Sequence, residues 1–350
     1  MPLVAHNALP TFERLRRDGM TVLSTERAGN QVIRELHIGL LNMMPDAALE
    51  ATERQFYRLV GESNPIAQFY MHPFTLPALP RGDKARAHIE AYYESFDSIR
   101  EKGLDALIIT GANVSGPSLA DQPFWLPMIE VIDWARDHVT STLCSCLATH
   151  AVMQFRYGQT RVKQPKKVWG VFEHRVVDPR HPLVADVNTR FDVPHSRWND
   201  ISRAQFEAAG IRVLAESAGG GVHLAVSPDG FRTVFFQGHP EYDTVSLLKE
   251  YKRDVLLAAA GQLPAWPPFP ARTFDAQSRA LLAEYAGRLR AGEALDFPES
   301  LIVPRLDNTW HDTAEGVVGN WIGCVYQITH SERGLPFMPG IDPDNPLGLA

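Results

Sequence analysis

Residues 137–151 read DHVTSTLCSCLATHA, and a change of spacing inside this stretch decides the fold. Val139 to Ser145 is a short run of β-branched and apolar residues with the length of a strand. From Ala148 to Tyr157 the apolar residues recur at helical spacing. A strand that passes straight into a helix is half of a crossover unit, and the same alternation recurs on either side of it. Leu36 to Leu41 is a buried strand stopped by Asn42-Met43-Met44-Pro45. Asp46 is then placed to cap a helix carrying Leu49, Phe56, Leu59 and Val60 on its apolar side. Ile66 to Met71 and Asp105 to Thr110 are further strands, and Trp125 to His138 is a helix with Pro127 in its first turn. Strand and helix alternating at these intervals predict an α/β fold, a mostly parallel sheet flanked by helices.

The pattern changes over Arg212 to Gly238. RVLAES and VHLAVS flank Gly219-Gly220-Gly221, and Pro228-Asp229-Gly230 precedes FRTVFFQG, which predicts an antiparallel hairpin region. No helix pattern follows the glycines, so they are turn residues rather than a phosphate cradle. A helix over 245–260 comes next, then Pro264 to Pro270 (PAWPPFP), which neither a helix nor a central strand tolerates. Leu281, Leu282, Tyr285 and Leu289 share another helix face. Trp310 to Ile328 is an apolar run expected to dock on the main body, with Cys324 in a strand-like part of it. The organisation expected is an α/β catalytic domain over 1–260, followed over 261–350 by a Pro-rich linker, a helix and a C-terminal extension.

Composition narrows the function. The chain has 350 residues, 45% apolar and 21% charged, enough to build a sizeable core. Thirty-four Lys and Arg against 41 Asp and Glu give a net charge of −7, the wrong sign for neutralising phosphates, so no nucleic-acid partner is expected. Three cysteines are too few for a disulfide framework and suit a reducing cytoplasm. The longest apolar runs fall short of the ~18 residues of a membrane span, and the first ten residues lack a signal-peptide layout, so no membrane association is expected.

Cys146 stands directly after a strand and before a helix. There the unpaired N–H groups and partial positive charge of the helix start favour thiolate, and the Leu147 N–H can hold an oxyanion. Cys144, two residues earlier, lies inside the strand. Gly238-His239-Pro240-Glu241 ends a second strand, so His239 can serve the thiol as base while Glu241 takes the other imidazole proton and fixes the tautomer. A metal site from Cys144, Cys146 and His150 has poor tetrahedral geometry and lacks a fourth ligand, so no metal is expected.

A cysteine at such an elbow with His-x-Glu on a later strand resembles the class I glutamine amidotransferases. The detailed wording is closer to the homoserine O-acyltransferase family of methionine biosynthesis, its succinyl-transferring members in particular. The matching stretches are Leu41 to Pro45 (LNMMP), Thr52 to Gln55, Thr110-Gly111-Ala112, the residues around Cys146, Gly170 to His174 (GVFEH), Pro194 to Arg197 (PHSR), Gly238 to Asp243 (GHPEYD) and Asn320 to Thr329. The resemblance spans nearly the whole chain. It implies a flavodoxin-like, class I glutamine amidotransferase-like fold, with Cys146 as acyl-thioester nucleophile, His239 as proton acceptor and Glu241 as its partner. It further implies Lys167, Ser196 and Arg253 as substrate contacts, and their charges suit substrates bearing carboxylates.

The second oxyanion donor is expected from Ala112 or Asn113, because the strand before them should lie beside that of Cys146. In the family this loop also influences which acyl group enters, with glycine typical of succinyl-users and glutamate of acetyl-users; this chain has Ser115 there. Serine admits a succinyl group without demanding it. The function implied is transfer of succinyl from succinyl-CoA to the hydroxyl of L-homoserine, with no bound cofactor, in a cytoplasmic homodimer. The alternatives are acetyl transfer from acetyl-CoA to homoserine or serine, a glutaminase, and a non-catalytic binding protein on the same scaffold.

Overall fold

In a strand, successive side chains point to opposite faces of the sheet, so each apolar residue of a buried strand must meet its own layer of helices. In the computed structural model, which describes residues 3–64, 66–112, 114, 116 and 118–349, the central strands do this. The strands are β1 (Leu3–Ala5), β2 (Val22–Ser24), β3 (Glu35–Leu41), β4 (Gln68–Phe74), β5 (Ala106–Ile109) and β6 (Ser141–Ser145). They continue with β7 (Val162–Val176), β8 (Arg190–Asp200), β9 (Arg212–Ser217), β10 (Gly221–Val226) and β11 (Thr233–Phe236). Leu36, Ile38, Ala106, Ile108, Leu143 and Val234 face a core closed by helices Pro10–Arg17, Asp46–Ser63 and His311–Ile328. Leu41, Leu107, Ile109, Cys144 and Phe235 face a second core closed by helices Trp125–His138 and Leu147–Tyr157.

The described strands form one sheet in the order β2-β1-β4-β3-β5-β6-β11-β10-β9-β7-β8. The section from β2 to β11 is parallel, while β11, β10, β9, β7 and β8 are joined by antiparallel pairings. The mostly parallel sheet and its antiparallel region are therefore as expected. The strand β11 does both jobs, since it ends the meander yet runs parallel to β6, and this brings two distant segments to the same sheet edge.

Several local expectations need correction. Asp46 does not cap its helix: Pro45 occupies that position, and the Asp46 carboxylate accepts the Gly82 N–H at 2.8 Å instead. The strand expected over Ile66 to Met71 is β4, which begins at Gln68 and runs to Phe74. Cys324 lies in a helix, His311–Ile328, rather than a strand-like run, and is half-buried. That helix belongs to the first core; Trp321 is buried within it and donates its indole N–H to Ser141 Oγ at 2.8 Å.

The segment after Pro264 also has a packing partner. Ala271 exchanges backbone hydrogen bonds with Trp169 and Val171 of β7, at 2.9 and 2.8 Å. Gly170 between them has φ +127°, and a Cβ there would lie 2.2 Å from the Ala271 nitrogen, so only glycine allows the approach. Phe274, Leu282, Tyr285 and Ile302 then close a third core with Trp169, Val171 and helix Ser246–Ala259. No helix among the described residues is long and apolar enough to cross a membrane.

Candidate active site

Three parallel strands end at the same level. Ile109 of β5 pairs with Cys144 of β6, and Phe235 and Phe236 of β11 pair with Cys144 and Ser145. The residues that follow are thereby brought together: Thr110-Gly111-Ala112, Cys146, and Gln237-Gly238-His239. A Cβ on Gly111 would sit 3.9 Å from that of Cys146. Crevices beyond the carboxyl ends of parallel strands are where open α/β sheets place their ligands.

Cys146 makes the sharp strand-to-helix turn. It has φ 52° and ψ −105°, is one of few non-glycine residues at positive φ, and stands immediately before helix Leu147–Tyr157. Strain of this kind persists only where the surroundings hold it. Here Thr149 Oγ1 donates to the carbonyls of Cys144 and Phe236, both at 2.9 Å, and the Cys146 N–H donates to Phe236 O at 2.7 Å. Cys146 is thus half-buried, unlike Cys144, and stands at the start of the helix.

His239 is 7% exposed and Glu241 8%. The imidazole Nδ1–H donates to Glu241 Oε1 at 2.8 Å, while the other side of the ring faces Cys146. Burial pulls the imidazole pKa down, but the charges of Glu241 and Cys146 and their hydrogen bonds outweigh it and hold His239 well above the usual histidine value. The arrangement therefore favours the imidazolium form of His239. The backbone of His239 donates to Pro194 O at 2.8 Å, and its ring stacks on Tyr242 at 4.5 Å. A Cβ on Gly238 would lie 2.5 Å from Val193 Cγ1, so a glycine is required for the strand end to come this close to β8.

A second cluster adjoins the first. Glu250, on helix Ser246–Ala259, accepts hydrogen bonds from Ser196 Oγ at 2.5 Å, Lys167 Nζ at 3.3 Å and Tyr242 Oη at 2.7 Å. Burial would raise its pKa, yet Lys167 and the two hydroxyl groups bring it below the ordinary value. Lys167 also sits over the Trp169 ring at 4.1 Å. Lys167 and Ser196 are thus together, whereas Arg253 is more exposed and pairs with Asp254 at 2.7 Å; the other Asp254 oxygen stands 4.0 Å from Lys167.

The loop after β5 is anchored by Thr110, whose hydroxyl accepts the Met43 N–H at 2.9 Å and donates to Gly111 O at 3.0 Å. Ala112 is half-buried beside it. Asn113 and Ser115 lie outside the described residues. Arg161 reaches this loop, donating to Gly116 O at 3.4 Å, and its guanidinium is within electrostatic reach of Cys146.

Cys144 is fully buried and its thiol is pushed up to about 12, which leaves it inert. His150 is likewise buried, pulled down to about 3, and bonded to Gln237 Oε1 at 3.1 Å. Glu250, Tyr242 and Arg161 were not singled out in the sequence. Glu250 occurs in a helix of ordinary amphipathic pattern, and its meeting with Ser196 from β8 and Lys167 from β7 depends on the antiparallel half of the sheet.

The family model described as homoserine O-succinyltransferase matches residues 2–331. The homoserine O-succinyltransferase of Thiobacillus denitrificans is 81% identical over 100% of both chains. That of Allochromatium vinosum is 67% identical, covering 100% of this chain and 99% of its own. Among solved structures, a glutamine amidotransferase from Thermotoga maritima is similar with a TM-score of 0.46 at 13% identity, over 83% of this chain and 98% of that one. One from Methylobacillus flagellatus has a TM-score of 0.45 at 13% identity, over 83% and 95%. With a family match across almost the whole sequence and full-length relatives at this identity, the chain belongs to the homoserine O-succinyltransferase family, a family of transferases.

Proposed function

We propose that this chain transfers the succinyl group of succinyl-CoA to the γ-hydroxyl of L-homoserine through a thioester on Cys146. The observation that carries the reading is the buried His239 held between Cys146 and Glu241 at the ends of adjacent parallel strands. The Cys146 thiolate attacks the thioester carbonyl, the backbone N–H groups of Leu147 and Ala112 take the oxyanion, and the bond to the CoA sulfur breaks. The departing thiolate takes the proton of the His239 imidazolium. Neutral His239 then removes the proton of the homoserine hydroxyl as its oxygen attacks, and Cys146 leaves as thiolate beside a restored imidazolium. Thioester for thioester is close to balanced, and thioester to oxygen ester is downhill, so the site has to orient rather than drive.

Glu250 offers a buried carboxylate to the homoserine ammonium, with Lys167 and Ser196 beside it for the carboxylate end, and Arg253 guarding the rim through Asp254. Arg161 suits the free carboxylate of the succinyl group, since a guanidinium pairs with a carboxylate through two hydrogen bonds. Residues 1–260 carry the chemistry and 261–350 brace it. The enzyme works in the cytoplasm as a homodimer, with succinyl-CoA as co-substrate rather than a bound cofactor.

Mass spectrometry of the chain mixed with succinyl-CoA and no acceptor tests the reading. The Cys146 peptide should gain one succinyl group and lose it on addition of homoserine. Cys146→Ala should abolish the gain, while Cys144→Ala keeps most of it; equal losses in the two variants would overturn the assignment.

A further inference from the structure

A second constellation lies where β1 and β4 run side by side. Leu3 pairs with Phe69 in parallel register, so three residues on His6 stands next to His72. Glu94 reaches the same spot because its N–H bonds to Pro73 O at 2.9 Å, joining it to the end of β4. Ligand atoms of His6, His72 and Glu94 all lie within 4.8 Å of one another.

We propose that His6, His72 and Glu94 bind a divalent transition metal of the zinc class, with water as fourth ligand. Two imidazoles and one carboxylate make a donor set that zinc accepts in tetrahedral geometry. His6 Nε2 is buried and has no hydrogen-bond partner among the described residues, which in a folded protein calls for an ion or a water. Its other nitrogen, Nδ1, is already held by Val4 O at 3.1 Å. His72 Nδ1 faces Glu94 Oε1 at 2.6 Å, and its Nε2 meets His37 Nδ1 at 2.8 Å. His37 Nε2 lies 3.4 Å from Glu35 Oε1. Glu94 keeps its second oxygen on Lys102 Nζ at 2.5 Å and Ser98 Oγ at 3.3 Å. Each ligand is therefore oriented by a partner on the atom turned away from the metal, the pattern of supported metal ligands.

Metal binding replaces the proton shared by His72 Nδ1 and Glu94. The His37 proton passes to His72 Nε2, and His37 takes up one at Nε2 towards Glu35, so the count is unchanged. The ion would fasten the first strand and the segment after helix Asp83–Tyr92 to β4.

The test uses the full chain carrying Cys146→Ala, so that the thiol cannot compete, stripped by a chelator and titrated with Zn²⁺ alone. One equivalent should bind. His6→Ala and His72→Ala should abolish this uptake, and His37→Phe should weaken it about 10- to 100-fold, as loss of an outer partner does. His311→Ala, which breaks the other cluster of Glu62, His311 and Glu315, should leave it unchanged. X-ray absorption on the loaded Cys146→Ala chain, where no ligand has been altered, should give only N and O neighbours at about 2.0–2.2 Å. No uptake, uptake that survives both histidine variants, uptake lost in His311→Ala, or a sulfur neighbour would each overturn the proposal.

Discussion

Glu241→Gln keeps the length of the side chain and an oxygen for the His239 N–H, and removes a buried charge from a contact of 2.8 Å. A full charge roughly 4 Å from an imidazolium, at an effective dielectric of about 20, is worth about 4 kcal/mol. An energy of that size is about a thousandfold in a rate or equilibrium constant. Water entering from the Cys146 side would halve the energy. The expected fall in the acylation rate at neutral pH is then about 30- to 1000-fold. The sign follows from the raised pKa: the Glu241 charge holds the proton on His239 as pH climbs, so its removal moves the alkaline limb of thiolate–imidazolium reactivity to lower pH. Stability follows the same linkage. The gain from protonating folded His239 is complete below the unfolded imidazole pKa and disappears as pH rises through the higher folded value. The assay is the pH dependence of Cys146 alkylation, read beside the mass of the succinyl-enzyme. A variant within about threefold of the unaltered chain, with its alkaline limb unmoved, would refute the role given to the carboxylate.

Other expectations test neighbouring parts of the molecule. Glu250→Gln should raise the KM for homoserine about 10- to 100-fold, the worth of a hydrogen bond to a charged group, while acylation of Cys146 by succinyl-CoA changes little; equal damage to both half-reactions would argue for a structural role. Arg161→Gln should lower kcat/KM for succinyl-CoA about 10- to 100-fold and leave any turnover of acetyl-CoA, which lacks the free carboxylate, unchanged, as steady-state rates with the two donors will show. Trp321→Ala should cost about 3–5 kcal/mol in urea unfolding, with one transition shifted to lower urea. A separate early transition confined to the C-terminal residues would show that helix His311–Ile328 is not part of the common core.

Much of the site was legible because its chemistry sits at breaks in periodicity. Cys146 stands where a strand becomes a helix, and His239 where an apolar strand meets Gly-His-Pro-Glu. Such breaks place side chains at a sheet edge whatever else the chain does. The strands β7 and β8 were not legible in the same way. Their burial alternates poorly: Val162 to Lys167 are exposed or half-buried, while Trp169 and Val171 enter the third core beside helix Ser246–Ala259 and residues from the segment after Pro264. Helix His311–Ile328 was obscured for a different reason. It is apolar on more than one side, since it packs against both helix Asp46–Ser63 and the loop at Pro182–Val184, and broad burial erases the amphipathic signal.

Local order of residues was enough to determine the parallel α/β layering, the elbow at Cys146 and the imidazole–carboxylate pair, since each is set by neighbours within a few positions. Only the tertiary structure decided that β11 lies beside β6, bringing His239 to the sulfur, and that Glu250 gathers Lys167, Ser196 and Tyr242 from separate elements. Strand order and the meeting of distant side chains are chosen by which packing buries the most apolar surface at once, a property of the whole chain that no short window contains.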